Sequence, residues 1–183
     1  MRLIVLAAMA AFSLFAADVP RPAPDFKFQL PGGKTASLSD YKGKVVVVEF
    51  LLTTCPHCQK ASQGINRVYR ELKAQGLQPV GVAVNDMANM LVEDYVRQFN
   101  LDFPVGWSTR EPVVNFLQHP VMLMMSFPNL VIIDRNGQIR HQYPGGDKFF
   151  ENEEKNLREA VLPLLKAPAG GGAAKKAPAK KTT

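Results

Sequence analysis

The chain has 183 residues, which favours one domain with short appendages, and its 46% hydrophobic content is that of a globular protein with a core. The formal net charge of +6 lies in Arg2 and in the five lysines from Lys166 onward, so the rest of the chain is balanced. This balance excludes a general electrostatic attraction to nucleic acid, and no nucleic-acid partner is expected.

Residues 1–17 predict a secretory signal peptide. Arg2 supplies the positive charge, and residues 3–17 form an apolar stretch with a single serine. This stretch is too short to span a membrane comfortably, so no stable membrane insertion is expected. We therefore expect a periplasmic or otherwise extracytoplasmic protein, in a compartment where disulfide chemistry is normal.

The mature chain alternates strand and helix patterns. Residues 26–30 and 35–38 flank a Pro-Gly-Gly turn and predict an N-terminal β-hairpin. Residues 45–52 are apolar except for Glu49 and predict a central strand that is covered on both faces. Further strands are predicted at 79–84, 103–107, 129–134 and 139–143, and helices at 59–75, 88–99, 111–118 and 152–165. Asn85 and Asp86 are the predicted caps of the second helix.

The ends of the folded part follow from composition. Residues 167–183 contain only Ala, Gly, Pro, Lys and Thr, which predicts a disordered tail. The predicted organisation is therefore a signal peptide over 1–17, one domain over 18–166 and a tail over 167–183.

Cys55-Pro56-His57-Cys58 contains the only two cysteines of the chain. A Cys-x-x-Cys pair between a strand and a helix is typical of a redox dithiol. Pro56 fits the first helical position, which makes Cys55 the helix N-cap, where the helix dipole favours a thiolate. Cys55 is thus the predicted nucleophile and Cys58, one turn inside, the more buried resolving thiol. His57 is expected to stabilise the Cys55 thiolate further.

Other interpretations of the motif are weaker but distinct. A zinc site needs about four ligands, and a structural disulfide across so small a loop restrains the unfolded chain little, so no metal or cofactor is expected. A peroxiredoxin-like thiol peroxidase remains an alternative, although Val48 and Leu52 stand where such enzymes have Pro and Thr. A copper-delivery protein using both cysteines and a histidine is another, although its relatives space the cysteines more widely. His119 and His141 are interpreted as surface or structural residues.

The element order, with segments 37–47 (SLSDYKGKVVV) and 127–137 (FPNLVIIDRNG), resembles the exported TlpA-like branch of the thioredoxin-fold proteins. The resemblance covers roughly residues 24–165. It implies an α/β thioredoxin-like fold: a central mixed β-sheet flanked by helices, with the N-terminal hairpin and an inserted helical section. It also implies a monomeric thiol–disulfide oxidoreductase whose partners are cysteine-containing exported proteins and a redox partner protein.

Three further site residues rest on this resemblance. Glu49 matches the buried acid that donates and accepts the proton of the resolving cysteine. Pro128 matches a cis-proline opposite the disulfide, and Phe127 before it would present its backbone to a partner segment. Residues 122–125 lead into that loop, and core packing is the expected explanation for their methionines. The dipeptide Pro56-His57 resembles that of strongly oxidising periplasmic thiol oxidases.

Overall fold

The computed structural model describes residues 18–168, so the predicted signal peptide and nearly all of the predicted tail lie outside the described residues. Within 18–168 the chain forms eight strands and four α-helices in one sheet-centred fold. The strands β1 to β8 are, in chain order, Arg21–Pro22, Lys27–Leu30, Lys34–Ser37, Val45–Leu51, Leu77–Ala83, Val105–Trp107, Asn129–Ile133 and Gln138–Tyr143. The helices α1 to α4 are Pro56–Leu72, Ala88–Gln98, Arg110–Leu117 and Glu153–Lys166.

The eight strands form one mixed sheet in the order β1-β8-β7-β4-β5-β6-β2-β3. β4, β5 and β6 run parallel, while β7 lies antiparallel to β4 on the other side. β2 and β3 pair as the predicted N-terminal hairpin, and β7 and β8 pair around a turn that contains Asn136 and Gly137. The predicted thioredoxin-like fold class, with its central mixed sheet and inserted helices, is confirmed.

Alternate residues of β4 enter two separate cores, as the period of two along a strand requires. Val45, Val47 and Leu51 pack with α1, α2 and α4 on one face of the sheet. Val46, Val48 and Phe50 pack on the other face, where Phe26 meets the rings of Phe50 and Phe116 edge to face and these two rings are tilted against each other. Position 49 therefore belongs to the face that α1 covers, which decides where the one acid of this strand lies.

The N-terminal segment before β2 includes the extended residues Arg21–Pro22, which pair antiparallel with β8 as strand β1. Arg21 stabilises this pairing by donating to Phe116 O at 3.1 Å and to Gln142 Oε1 at 2.8 Å. The predicted cap of α2 is wrong, because this helix is capped by Met87 in a left-handed conformation and not by Asn85 or Asp86. Asn85 is engaged elsewhere, since its side chain bonds to Thr53. Among residues 18–168, no helix has the length and apolar character needed to cross a membrane.

Candidate active site

The two cysteines lie where β4 passes into α1. Cys55 is the N-cap of α1 and Pro56 is its first helical residue, as predicted. The Cys55 N–H donates to Leu52 O at 3.1 Å, which closes a tight turn between strand and helix. Cys58 sits one turn inside the helix and accepts a hydrogen bond from the Leu52 N–H at an N···S distance of 3.5 Å. Both cysteines are present as free thiols.

The two thiols differ sharply in exposure. Cys55 is partly exposed, whereas Cys58 is fully buried in the core under α1. Burial raises the pKa of the Cys58 thiol well above its usual range; the Leu52 N–H opposes this rise, and the nearby Glu49 carboxylate adds to it. The predicted difference in burial is confirmed. A Cys58 thiol in these surroundings needs a proton acceptor before it can react at neutral pH.

Glu49 is the candidate acceptor for this proton. Its side chain lies on the α1 face of β4 and is 1% exposed. Burial raises the pKa of Glu49 to about 8, and a hydrogen bond from Ser62 Oγ to Glu49 Oε2, 2.6 Å long, partly lowers it. The other carboxyl oxygen, Oε1, is buried without a hydrogen-bond partner in the described chain. A carboxyl that titrates near neutral pH is well matched to acid–base exchange with a thiol.

Ser62 and Tyr95 complete a buried polar chain that the sequence analysis missed. Ser62 Oγ lies 2.8 Å from Tyr95 Oη, and both residues are almost wholly buried. Ser62 follows Cys58 by one turn on the same face of α1, while Tyr95 comes from α2. The one available signal was a serine within the apolar stripe of α1, since a buried hydroxyl requires a partner.

The loop that contains Pro128, called here the proline loop, lies next to the Cys-x-x-Cys motif. The Phe127–Pro128 peptide bond is cis, as expected from the resemblance, and Pro128 is buried. Pro128 and His57 line the same small cavity of about 30 Å³, so the loop and the motif lie side by side. Ser126 anchors the loop by donating from Oγ to Gly145 O at 2.6 Å.

The loop before Cys55 is held by side-chain hydrogen bonds. The Thr53 N–H donates to Asn85 Oδ1 at 2.9 Å, and Asn85 Nδ2 donates to Thr53 Oγ1 at 3.1 Å. Gln59 Nε2, from the first turn of α1, donates to Thr53 O at 3.0 Å. These bonds fix the approach of β4 to Cys55 from two sides, and Asn85 is therefore a supporting residue that the sequence analysis assigned to a helix cap.

Two other predicted features are exposed. His57 is exposed between the cysteines, and its effect on Cys55 stays a prediction. Core packing is the wrong explanation for most of the methionine segment, because Met122 and Met124 are 91% and 92% exposed. Only Met125 of this segment is buried, at 5% exposure, since it packs into the second core. His119 bonds to Leu123 O at 3.2 Å, and His141 stacks on Tyr143; neither lies in the site.

The fold and this arrangement of a dithiol, a buried acid and a cis-proline define a thioredoxin-fold thiol–disulfide oxidoreductase. The family model described as the AhpC/TSA family matches residues 19–142. This match covers more than half of the sequence, and the chain belongs to the AhpC/TSA family.

Individual relatives agree with this class. Thiol-disulfide oxidoreductase ResA from Geobacillus kaustophilus is 29% identical over 169 residues, which cover 88% of this chain and 92% of the relative. A thiol:disulfide interchange protein of the thioredoxin family from Chlorobium tepidum superposes with a TM-score of 0.65 at 26% identity, over 80% of this chain and 99% of its own. A putative DsbE from the same organism superposes with a TM-score of 0.66 at 24% identity, over 81% and 98%, and supports the fold.

Proposed function

We propose that this protein exchanges disulfides with cysteine-containing proteins outside the cytoplasm, with Cys55 as nucleophile, Cys58 as resolving thiol and Glu49 as the group that takes and returns the Cys58 proton. The observation that carries this assignment is the unequal burial of the two thiols beside a buried carboxyl. Cys55 is accessible to a partner, whereas Cys58 is reached only from inside the protein.

The exchange takes two steps when the protein reduces a partner disulfide. The Cys55 thiolate attacks one partner sulfur, an S–S bond forms between them, and the second partner sulfur leaves as a thiolate. Cys58 then transfers its proton to Glu49 and attacks Cys55 Sγ. The mixed disulfide breaks, its electron pair leaves with the partner sulfur, and the Cys55–Cys58 disulfide remains. Both steps run in reverse when the protein oxidises a partner, with Glu49 returning the proton.

Other residues of the site support binding of a partner chain. Pro128 and His57 line the same small cavity, and Phe127 directly precedes Pro128 in the loop. We assign Phe127 and Pro128 to substrate binding, with an extended partner segment lying against this loop. The signal-like pattern of residues 1–17 supports export, and exported proteins together with a redox partner protein are the proposed substrates.

A covalent trap tests this function. In Cys58→Ala the mixed disulfide on Cys55 cannot be resolved, so partners expressed in the same cell should stay joined to the full-length chain until a reductant is added. The double variant Cys55→Ala/Cys58→Ala is the matched control and should retain none of them. Mass spectrometry of the joined peptides should identify cysteine-containing proteins that carry export signals.

Three results would contradict the proposal. Partners retained equally by the double variant would show that they are not held through Cys55. Covalent partners drawn from cytosolic proteins would reject the extracytoplasmic site of action. Rapid consumption of peroxide by the purified wild-type protein, without turnover of a model disulfide peptide, would instead favour the thiol peroxidase.

A further inference from the structure

A chain of three buried polar groups links helix α2 to the acid of the site. Tyr95 Oη lies 2.8 Å from Ser62 Oγ, and Ser62 Oγ lies 2.6 Å from Glu49 Oε2. Tyr95 is 3% exposed, Ser62 is fully buried and Glu49 is 1% exposed, so these groups have each other and not bulk water as partners. In such surroundings each hydrogen bond is strengthened, and each missing one is expensive.

In only one arrangement of the protons do the hydroxyl groups of Tyr95 and Ser62 both find an acceptor. Burial raises the pKa of Tyr95 above its usual range, with a further rise from Glu49, so Tyr95 keeps its proton and is a donor. If Tyr95 donates to Ser62, the single Ser62 proton goes to Glu49 Oε2, and every hydroxyl is satisfied. If the chain ran the other way, the buried Tyr95 O–H would have no acceptor, which is costly.

This polarity leaves the two oxygens of Glu49 unequal. Oε2 is occupied as an acceptor, whereas Oε1 is buried and unpaired. Cys58 lies on the same face of α1, one turn before Ser62, and its thiol senses the charge of Glu49. A proton that Glu49 takes up would therefore go to Oε1, and the carboxyl cannot rotate without breaking the bond from Ser62.

We propose that Ser62 and Tyr95 are positioning residues that hold the Glu49 carboxyl with Oε1 free to exchange a proton with Cys58, and that they set the pH at which this exchange operates. The inference rests on the proposed role of Glu49. The titratable groups that interact with this carboxyl are Cys58 from α1 and Tyr95 from α2, and Cys55 acts on both of them. β5 and β7, the strands beside β4, carry no titratable side chain, and Glu153 of α4 is paired with Lys60 at 3.3 Å.

The test measures the resolving step alone. An aromatic disulfide reagent that releases a coloured thiolate at each step is mixed with the reduced protein, and the second release reports attack by Cys58. Its rate is followed against pH, and the midpoint reports the group that accepts the Cys58 proton. Ser62→Ala removes a hydrogen bond to the carboxylate, so the midpoint should rise by about one unit and the second release should slow up to about tenfold near neutral pH.

Companion variants separate positioning from packing. Tyr95→Phe should shift the midpoint in the same direction but less, because it acts through Ser62 and keeps the ring packed on Phe99. Ser62→Thr keeps the hydroxyl and should restore the parental midpoint. Tyr69→Phe, a tyrosine of α1 whose ring packs on Phe103, is the matched control and should leave the profile unchanged.

The outcomes distinguish this inference from the proposed function. Glu49→Gln should abolish the midpoint; a midpoint that survives it removes Glu49 from the mechanism and the inference with it. If Glu49→Gln abolishes the midpoint while Ser62→Ala and Tyr95→Phe leave it in place, Glu49 keeps its role and the positioning role of the two hydroxyls is overturned. Should Ser62→Ala fail to fold, the Tyr95→Phe profile decides alone.

Discussion

Cys55 and Cys58 carry the same side chain, but their places on α1 give them different access to solvent. Cys55 caps the helix and is partly exposed, while Cys58 lies under it in the core. The thiolate is the reactive form of cysteine, and burial in apolar surroundings suppresses it. The backbone between Leu52 and Cys58 places one thiol at the surface and the other in the core, and it thereby determines which thiol reacts first in disulfide exchange.

We expect a thiol-alkylating reagent at neutral pH to modify Cys55 in the folded, reduced protein and to leave Cys58 unmodified. The reason is the burial of Cys58 and its raised pKa, which together deny the reagent both access and a thiolate. Peptide mass spectrometry after short labelling measures the two sites separately. The same labelling in guanidinium chloride is the control, and there the two thiols should react alike. Faster labelling of Cys58 in the folded protein would reverse the assigned roles.

Among the individual site residues, those that stand in rare sequence patterns could be predicted from the sequence, and the others could not. A cysteine pair and an acid inside an apolar strand are conspicuous in one dimension. Ser62 and Tyr95 are separated along the chain, and a hydroxyl on an apolar helix stripe has no pattern that names its partner. Only the packing of α2 against the sheet brings Tyr95 to Ser62, so the positioning pair required the folded structure.

At the level of secondary-structure elements, the proline loop beside the motif packs tightly against the turn that follows β8. Gly145 packs so closely on the proline loop that a Cβ atom there would lie 2.6 Å from the carbonyl carbon of Ser126 and 2.7 Å from the nitrogen of Phe127. Real Cβ atoms essentially never approach backbone this closely. The turn after β8 thus fixes the position of the proline loop relative to the motif.

Gly145→Ala should therefore displace the Phe127 backbone, lower the free energy of unfolding by about 1–3 kcal/mol and slow disulfide turnover. Ser126→Ala is the matched comparison, since it removes the hydrogen bond to Gly145 O without adding an atom and should cost at most about 1 kcal/mol. Denaturant titration measures stability, and turnover of a model disulfide peptide measures activity. Equal effects of the two substitutions on turnover would show that the close packing at Gly145 does not position the loop.

The elements themselves were largely predictable, and the exceptions have physical causes. Strands buried on both faces leave continuous apolar runs, which is why β4 and β7 were placed correctly. The two-residue strand β1 carries no such signal, because its pairing depends on the distant strand β8. The exposed segment of Val121–Met124 is apolar but lies outside the core, and composition alone does not distinguish these two situations.

For the molecule as a whole, two classes of carboxyl act on stability in opposite directions. Hydrogen bonds or ion pairs with serine and arginine side chains hold the pKa values of several surface acids below their usual range, and these groups stabilise the fold as pH rises. They are Asp25, Glu71, Asp102 and Glu154. Glu49 is the reverse case, since burial raises its pKa. A comparison that isolates Glu49 must therefore cancel the surface groups.

Glu49→Gln provides that comparison. Because the folded-state pKa of about 8 lies above the ordinary value of 4.5, the contribution of Glu49 is fully present below pH 4.5 and is lost as pH rises toward 8. The amide that replaces the carboxyl in this variant does not titrate, whereas the surface acids titrate alike in both proteins, so only the contribution of Glu49 remains in the difference. Relative to the parent protein, the free energy of unfolding of the variant should increase by about 3 kcal/mol between about pH 4 and pH 7. Denaturant unfolding of the reduced proteins at several pH values measures this gain, over a constant offset from the buried amide. Parallel stability curves would show that Glu49 titrates normally, and a carboxyl with an ordinary pKa is a poor acceptor for the Cys58 proton.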